Sequence, residues 1–106
     1  MRYVYQNGKT IRKPKMSLIF VRNIKKFTRV GVVVSKKVSK KAVERNRIRR
    51  RVYEVIRKNF DLVPKEMDYV FVVYSRDVMT MKNEDLESLL GELVEESKVC
   101  YNKKNG

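Results

Sequence analysis

The side chains best able to do chemistry lie in one strongly basic segment, residues 36–58. It contains eleven Lys and Arg residues and two carboxylates, Glu44 and Glu54, so its net charge is 11 − 2 = +9. Arginine dominates its centre, and guanidinium groups match the geometry of phosphates and stack on bases. Like charges at helical neighbour spacing repel one another unless a polyanion neutralises them. The segment therefore predicts a surface that binds nucleic acid.

The whole chain shares this bias in charge. Its 106 residues include 26 Lys and Arg against 12 Asp and Glu, which gives a net charge of +14 and a pI of about 10.1. Such a chain is attracted to polyanions: nucleic acid, an anionic membrane or an acidic protein. No apolar run is long enough for a transmembrane helix, and residues 1–5 do not form the apolar core of a signal peptide. We therefore expect a cytoplasmic protein with no membrane partner.

The residue types that are missing limit the mechanism. The chain has no histidine and a single cysteine, Cys100. Histidine is the usual general acid–base and the commonest transition-metal ligand, so a Ser-His-Asp site and a Cys/His zinc site are excluded. Carboxylate–Mg²⁺ chemistry stays possible in principle. We expect no catalytic residue, no metal ligand and an incidental role for Cys100, which cannot form an intrachain disulfide.

Several strands must support the basic segment. Residues 17–22, 29–34 and 69–74 are rich in β-branched and aromatic residues and predict strands. A short edge strand is expected within residues 9–15, where a proline disfavours a central position. The short connection at residues 23–28 suggests that the first two strong strands form an antiparallel pair. The third strand is continuously apolar, which favours a central place in the sheet.

Two helices complete the prediction. The basic helix is expected from about residue 40 to residue 59, with Ser39 as its N-cap, and a second, acidic helix follows Asn83. Their apolar faces would consist of Ile48, Val52, Val55 and Ile56 in the basic helix, and Leu86, Leu89, Leu90, Leu93 and Val94 in the acidic helix.

A helical wheel divides the polar side chains of the basic helix into groups. Arg45 and Arg49 lie at the margin of the apolar stripe, where their stems can cover the core while their charged ends reach out. Asn46, Arg50, Tyr53 and Arg57 cluster beside the stripe, and Arg47, Arg51, Glu54 and Lys58 form the far face.

The order of elements, β–β–α–β–α, suggests a single α+β domain over residues 1–106, with one sheet face covered by helices. Residues 102–106 are expected to fray.

The strand end and the basic helix also carry a family resemblance. Residues 32–38 read VVVSKKV and residues 42–50 read AVERNRIRR. This pattern, a strand that ends in an SKKV turn and a helix with an RNR motif, resembles the signature of the bacterial ribonuclease P protein. Residues 4–9 resemble the aromatic-x-x-Gly segment after the family's first helix, and residues 68–76 resemble its last strand, which ends in Arg. The resemblance covers most of the chain, and its central motif is highly specific.

The resemblance implies a fold and a function. The fold would be a two-layer sandwich like ribosomal S5 domain 2, with a mixed sheet and a left-handed βαβ crossover, and the family's first helix would be shortened here. The protein would be a subunit of ribonuclease P, in which a catalytic RNA removes the 5′ leader of precursor tRNA. The partners would be that RNA and the leader, with no protein partner required, and Mg²⁺ would be bound mainly by the RNA.

The resemblance, together with the basic segment, implies two sets of site residues. Contacts with the catalytic RNA are expected from Lys36, Lys37, Lys40, Lys41, Arg45, Asn46, Arg47, Arg49, Arg50, Arg51 and Arg57. A cleft for the single-stranded leader, where bases stack on aromatic rings, would be lined by Tyr5, Phe20, Val32, Val34, Asn46, Arg50, Tyr53 and Arg76.

The sequence departs from the family pattern at two of these places. Tyr53 stands where the family commonly has a basic residue, so it could stack rather than pair. Asp77 and Val78 follow Arg76 where Lys-Pro is usual.

Four other interpretations stay open. The basic helix could be merely solvated, or the chain could belong to another ribonucleoprotein and bind RNA with no effect on leader cleavage. A DNA-binding helix could enter a major groove, but strands precede it where a short partner helix would be expected. A nuclease that uses its own carboxylates and Mg²⁺ would need acids near the basic motif, whereas most acids lie in the last helix.

Overall fold

The computed structural model describes residues 8–22, 29–59 and 67–105. The expected shortened first helix and Tyr5 lie outside these residues. The strands are β1 (Lys9–Arg12), β2 (Met16–Arg22), β3 (Arg29–Val34) and β4 (Met67–Val73), and the helices are α1 (Ala42–Asn59), α2 (Asp77–Thr80) and α3 (Asn83–Asn105). The predicted strands are all present, including the short edge strand.

The four strands form one mixed sheet in the order β1-β2-β4-β3. β4 is central, as its continuous apolar sequence predicts; it pairs antiparallel with β2 and parallel with β3. The predicted antiparallel pairing of β2 with β3 was wrong, because β4 lies between them. α1 carries the chain back along the sheet after β3, so β4 can run parallel to β3 and bury both of its faces. The left hand of this β3–α1–β4 crossover stays a prediction.

One face of the sheet packs against α1 and α3 to form the main core. Leu18, Phe71 and Val73 of the sheet are fully buried there, together with Val52 and Leu90 of the helices. The predicted apolar faces of both helices are confirmed, with Leu89 partly buried at the edge. A smaller apolar cluster lies on the other sheet face, where Val21, Val33 and Val72 pack around Ile19 and Val70. The result is the two-layer α+β sandwich that the sequence predicted.

α1 also covers the free edge of β3. Arg49 Nε donates a hydrogen bond to the carbonyl of Val32 (3.2 Å), and the Tyr53 hydroxyl donates one to the carbonyl of Val30 (3.1 Å). Four helical residues rise about 6 Å and two strand residues about 6.6 Å, so the two donors match two successive outward carbonyls. α1 therefore runs antiparallel to β3 and satisfies an edge that would otherwise be open to another strand.

The connection between β4 and α3 contains the short helix α2, which the sequence did not predict. The Arg51 guanidinium donates to the carbonyls of Val78 (2.7 Å), Met79 (3.2 Å) and Met81, and to Asn83 Oδ1 (3.2 Å). Placing Arg51 on the far face of the wheel was wrong, because this connection packs against that side of α1. α3 begins at Asn83 and continues to Asn105, so it includes most of the segment expected to fray.

Arg51→Ala should lower the free energy of unfolding by about 1.5–3 kcal/mol, because it removes charged hydrogen bonds and leaves carbonyls of the α2–α3 connection without a donor. Arg50→Ala is the matched control, since Arg50 is the next residue and is exposed; its effect should stay within about 0.5 kcal/mol. Urea unfolding of the two variants measures both values. Equal losses of stability would show that the Arg51 contacts do not hold the connection.

Candidate nucleic-acid interface

The segment before α1 places the first cations of the site. We call residues 35–41 the lysine loop; Lys36, Lys37, Lys40 and Lys41 are all exposed in it. Ser39 is not the N-cap that the sequence predicted, because α1 begins at Ala42. Instead the buried Ser39 hydroxyl accepts a hydrogen bond from the backbone N–H of Lys41 (3.1 Å) and donates one to Glu44 (2.5 Å). It therefore closes a turn one step before the helix.

The exposed side of α1 is centred on Arg50. We call Asn46, Arg47, Arg50 and Arg57 the basic face, and all four are exposed. At about 100° per residue, Asn46 and Arg57 flank Arg50 on one side and Arg47 lies on the other. Between described residues, no ion pair includes a cation of the basic segment; the pairs that occur join other elements. No close ion pair within the described part of the chain therefore offsets the positive charge of this face.

Arg45 and Arg49 occupy the margin of the apolar stripe, as predicted. Both are half-buried. Arg45 Nη1 donates to the carbonyl of Ser39 (2.8 Å), and Arg49 Nη1 donates to Asn46 Oδ1 (2.5 Å). Since a guanidinium has five N–H donors, each keeps donors for a ligand. The bond from Arg49 also occupies the carbonyl oxygen of Asn46, so the amide NH₂ of Asn46 is the group left to contact an acceptor such as a phosphate oxygen.

Glu44 connects the first turn of α1 with the lysine loop through its hydrogen bond to Ser39. The pKa of Glu44 lies below its ordinary value, chiefly because Ser39 donates a hydrogen bond to its carboxylate. Partial desolvation opposes this shift, and the positive charges of Lys41, Arg76 and Arg47 add to it. Arg76 is exposed, and because its charge acts on Glu44 it lies beside the start of α1. Tyr53 lies nine residues after Glu44 in α1, a rise of about 13 Å along the helix axis.

Only some of the residues predicted to line the leader cleft are exposed. Phe20 (3% exposed), Val32 (6%) and Val34 (6%) belong to the core beneath the helices, so the expectation that they line an open cleft needs correction. Strand alternation places them on the covered sheet face, where α1 and α3 exclude solvent. Tyr53 keeps 37% exposure, and Asn46, Arg50 and Arg76 are exposed as well. Tyr5 lies outside the described residues.

Carboxylates and thiols do not cluster into a metal-binding group in the described part of the chain. No group of three or more His, Cys, Asp or Glu in that part of the chain could hold a metal ion. Glu44, the carboxylate in the first turn of α1, is bonded to Ser39 and surrounded by cations. No described helix is both long and apolar enough to span a bilayer.

Sequence reasoning counted Glu44 only as an opposing charge and missed its contact with Ser39. An acid five residues after a serine is not a recognised capping pattern, since the usual pattern places it three residues on. The turn before α2 is closed by Ser75, whose hydroxyl accepts a hydrogen bond from the backbone N–H of Asp77 (3.2 Å); serine is one of the residues that favour turns.

The pH dependence of stability tests the Glu44 contact. Because the folded-state pKa of Glu44 is depressed, its interactions stabilise the protein fully above about pH 4.5, and this contribution is lost as pH falls through the folded pKa. Glu44→Gln should therefore be less stable than the parent at neutral pH, and the difference should shrink in acid. Unfolding midpoints over a pH series measure this, with Glu54→Gln on the same helix as the control. A difference that stays constant with pH would contradict the assignment.

Comparison with known protein sequences identifies the family. The sequence profile of the family Ribonuclease P matches residues 1–98. The ribonuclease P protein component of Finegoldia magna is 41% identical over 87 residues, which are 82% of this chain and 74% of that protein. The same component of Clostridioides difficile is 39% identical over 87 residues, with 79% and 75% of the two chains covered.

Solved structures agree with this result. The ribonuclease P protein of Thermotoga maritima aligns with a TM-score of 0.75 at 26% identity and covers 89% of this chain and 88% of its own. The Staphylococcus aureus protein aligns with a TM-score of 0.76 over 92% of this chain and 88% of its own; at 21% identity it shows the shared fold alone. The profile match over nearly the whole chain and relatives at about 40% identity lead to one conclusion: this chain belongs to the ribonuclease P protein family, whose members are subunits of ribonuclease P.

Proposed function

We propose that this chain binds the catalytic RNA of ribonuclease P through the basic face of α1 and the lysine loop, and assists removal of the 5′ leader from precursor tRNA. One observation carries the proposal. The described cations of residues 36–58 form no ion pair with described residues, whereas Lys13, Lys15, Arg29 and Lys98 do. A concentrated charge that no close ion pair offsets suits a polyanion, and family membership makes RNA the expected polyanion.

Arg45 and Arg49, the two arginines at the margin of the apolar stripe, give this surface a fixed geometry. Arg45 and Arg49 are each held by a backbone carbonyl at one N–H, so their remaining donors have a restricted direction. Asn46, whose carbonyl oxygen accepts a hydrogen bond from Arg49, offers two N–H donors beside Arg49. Such a set suits phosphate oxygens better than freely rotating lysines would. We leave Arg51 out of the RNA interface, because its guanidinium is committed to the α2–α3 connection.

A leader site is proposed beside the basic face. Tyr53 is exposed one turn after Arg50 on the same side of α1, and an aromatic ring beside a cation suits single-stranded RNA because every base can stack on it. Tyr5 is proposed for the same site because it lies in the segment that resembles the family's aromatic-x-x-Gly sequence. Arg76 lies near the start of α1, so it would contact the RNA at the other end of the surface. Phe20, Val32 and Val34 support the sheet beneath and do not contact the leader.

The chemistry is assigned to the RNA subunit. Mg²⁺ bound mainly by that RNA would supply the activated water and stabilise the leaving oxygen. The described side chains bind and orient RNA and supply no general base, which matches a chain without histidine. The cytoplasmic location and the independence from other protein partners remain predictions.

Cleavage of a leader-bearing precursor tRNA by a ribonuclease P RNA at low Mg²⁺ tests the proposal. The protein should stimulate cleavage, and the protein alone should cleave nothing. Arg47→Ala with Arg50→Ala should weaken binding to the catalytic RNA and reduce stimulation, because two exposed cations are lost. If six to ten phosphates are contacted, affinity should also fall about 10³–10⁵-fold between 50 and 200 mM salt.

The matched control removes two exposed cations at the opposite sheet edge, with Lys9→Ala and Arg12→Ala in β1. Its affinity should stay close to that of the parent at the same salt concentration. Equal losses in the two double variants would mean that total charge, and not the α1 surface, determines binding. Tight RNA binding without stimulation would instead favour a role in another ribonucleoprotein.

The leader site has its own test. Tyr53→Ala should reduce the preference for leader-bearing tRNA over mature tRNA by about fivefold or more, since loss of one stacked base costs at least about 1 kcal/mol. Tyr53→Phe keeps the ring but loses the hydroxyl bond to Val30, so it should keep the preference. Tyr5→Ala should act in the same direction as Tyr53→Ala. Relative affinities of the RNase P RNA–protein complex for the two tRNAs measure the effect, and an unchanged preference would remove that residue from the site.

A further inference from the structure

The lysine loop is built from a tandem repeat. Residues 35–41 read SKKVSKK. In the first copy the Ser35 hydroxyl accepts a hydrogen bond from the backbone N–H of Lys37 (3.1 Å), and in the second the Ser39 hydroxyl accepts one from that of Lys41 (3.1 Å). A serine that bonds the backbone two residues on closes a tight turn. Two turns of the same kind therefore each precede and shape a pair of lysines.

The backbone of this loop is attached at both ends and in the middle. The N–H of Ser35 donates to the carbonyl of Val73 in β4 (3.0 Å), and Val38, which is fully buried, donates to the carbonyl of Ser35 (3.0 Å). At the other end Ser39 is bonded through its hydroxyl to Glu44 and through its carbonyl to Arg45. The loop is thus hydrogen-bonded to β4 at one end and to α1 at the other.

The lysine side chains of the loop extend into solvent, whereas its backbone is hydrogen-bonded. Lys36, Lys37, Lys40 and Lys41 are exposed, and none forms an ion pair with a described residue. Fixing a flexible loop costs conformational entropy. A loop that is ordered before its ligand arrives avoids much of that cost on binding, so the same contacts give higher affinity.

We infer that Ser35 and Ser39 are positioning residues, whose paired turns present the four lysines of the loop as a pre-formed frame for successive phosphates of the RNA backbone. The inference rests on the proposed RNA-binding function and deepens it. The serines touch the backbone of the loop and not the RNA. The serines keep the backbone of the loop ordered, while the lysines supply the positive charge.

The test measures affinity for ribonuclease P RNA over a salt series for the parent, Ser35→Ala, and the double variant Lys36→Ala with Lys37→Ala. Removing the Ser35 hydroxyl should weaken binding about two- to tenfold, the range for one intramolecular hydrogen bond, and should leave the salt dependence unchanged because every lysine is still present. The double lysine variant should reduce the slope of log affinity against log salt by about 1.4–1.8, since two phosphate contacts are lost.

Two further measurements separate positioning from folding. Amide hydrogen exchange at Lys37 should be faster in Ser35→Ala, while the melting temperature stays close to that of the parent. Ser35→Thr, which keeps the hydroxyl, should restore both slow exchange and affinity. Ser39→Ala should act like Ser35→Ala, but Ser39 is buried, so the half-exposed Ser35 is the decisive position if that variant does not fold.

The outcomes distinguish this inference from the function on which it rests. If the parent shows no salt-dependent binding to the RNA, the proposed function fails. If the parent binds but Ser35→Ala keeps full affinity despite faster exchange at Lys37, only the inference is overturned. A loss of affinity that comes with a smaller salt slope would also overturn it, because contacts would then have been lost rather than left unordered.

Discussion

The structure depends on how α1 lies along the edge strand β3. Ile48 and Val52 enter the core, while Arg49 and Tyr53 donate hydrogen bonds to successive outward carbonyls of the strand. The apolar contacts alone would allow the helix to slide or rotate, since burial is not directional. The two hydrogen bonds match helix rise to strand rise, so they fix both the position of α1 and its rotation. Every cation of α1 then leaves the helix on a defined side.

This rotation gives six arginines of one helix three different roles. Arg47, Arg50 and Arg57 point to solvent. Arg45 and Arg49, at one margin, are half-buried and held by carbonyls of the loop and of β3. Arg51, at the other margin, holds the α2–α3 connection. Composition counts these side chains as equal charges. Their angle around the helix axis decides whether a guanidinium is available to RNA, is partly pre-oriented, or belongs to the fold.

Local patterns predicted the helices and strands well, because composition and periodicity can be recognised within a short stretch such as residues 29–34. Long-range pairing was harder. A short connection suggested that β2 and β3 pair, and only the burial of both faces of β4 explains why it separates them. Alternation correctly put Phe20 and Val32 on one sheet face, but it does not say whether that face is open or covered. Arg51 was misplaced because α2, with four residues, has no periodicity to reveal a packing partner.

The distribution of counterions suggests how the free protein and its complex differ. Ion pairs join the β1–β2 turn to α2 and α3, through Lys15 and Lys13, and join β3 to β4 through Arg29 and Asp68. The basic segment has no such pair among described residues, so its cations repel one another in the free protein. Added salt screens this repulsion and should stabilise free α1, yet the same salt weakens binding to a polyanion. RNA would then act as the missing counterion of the helix, which ties the stability of α1 to the partner it binds.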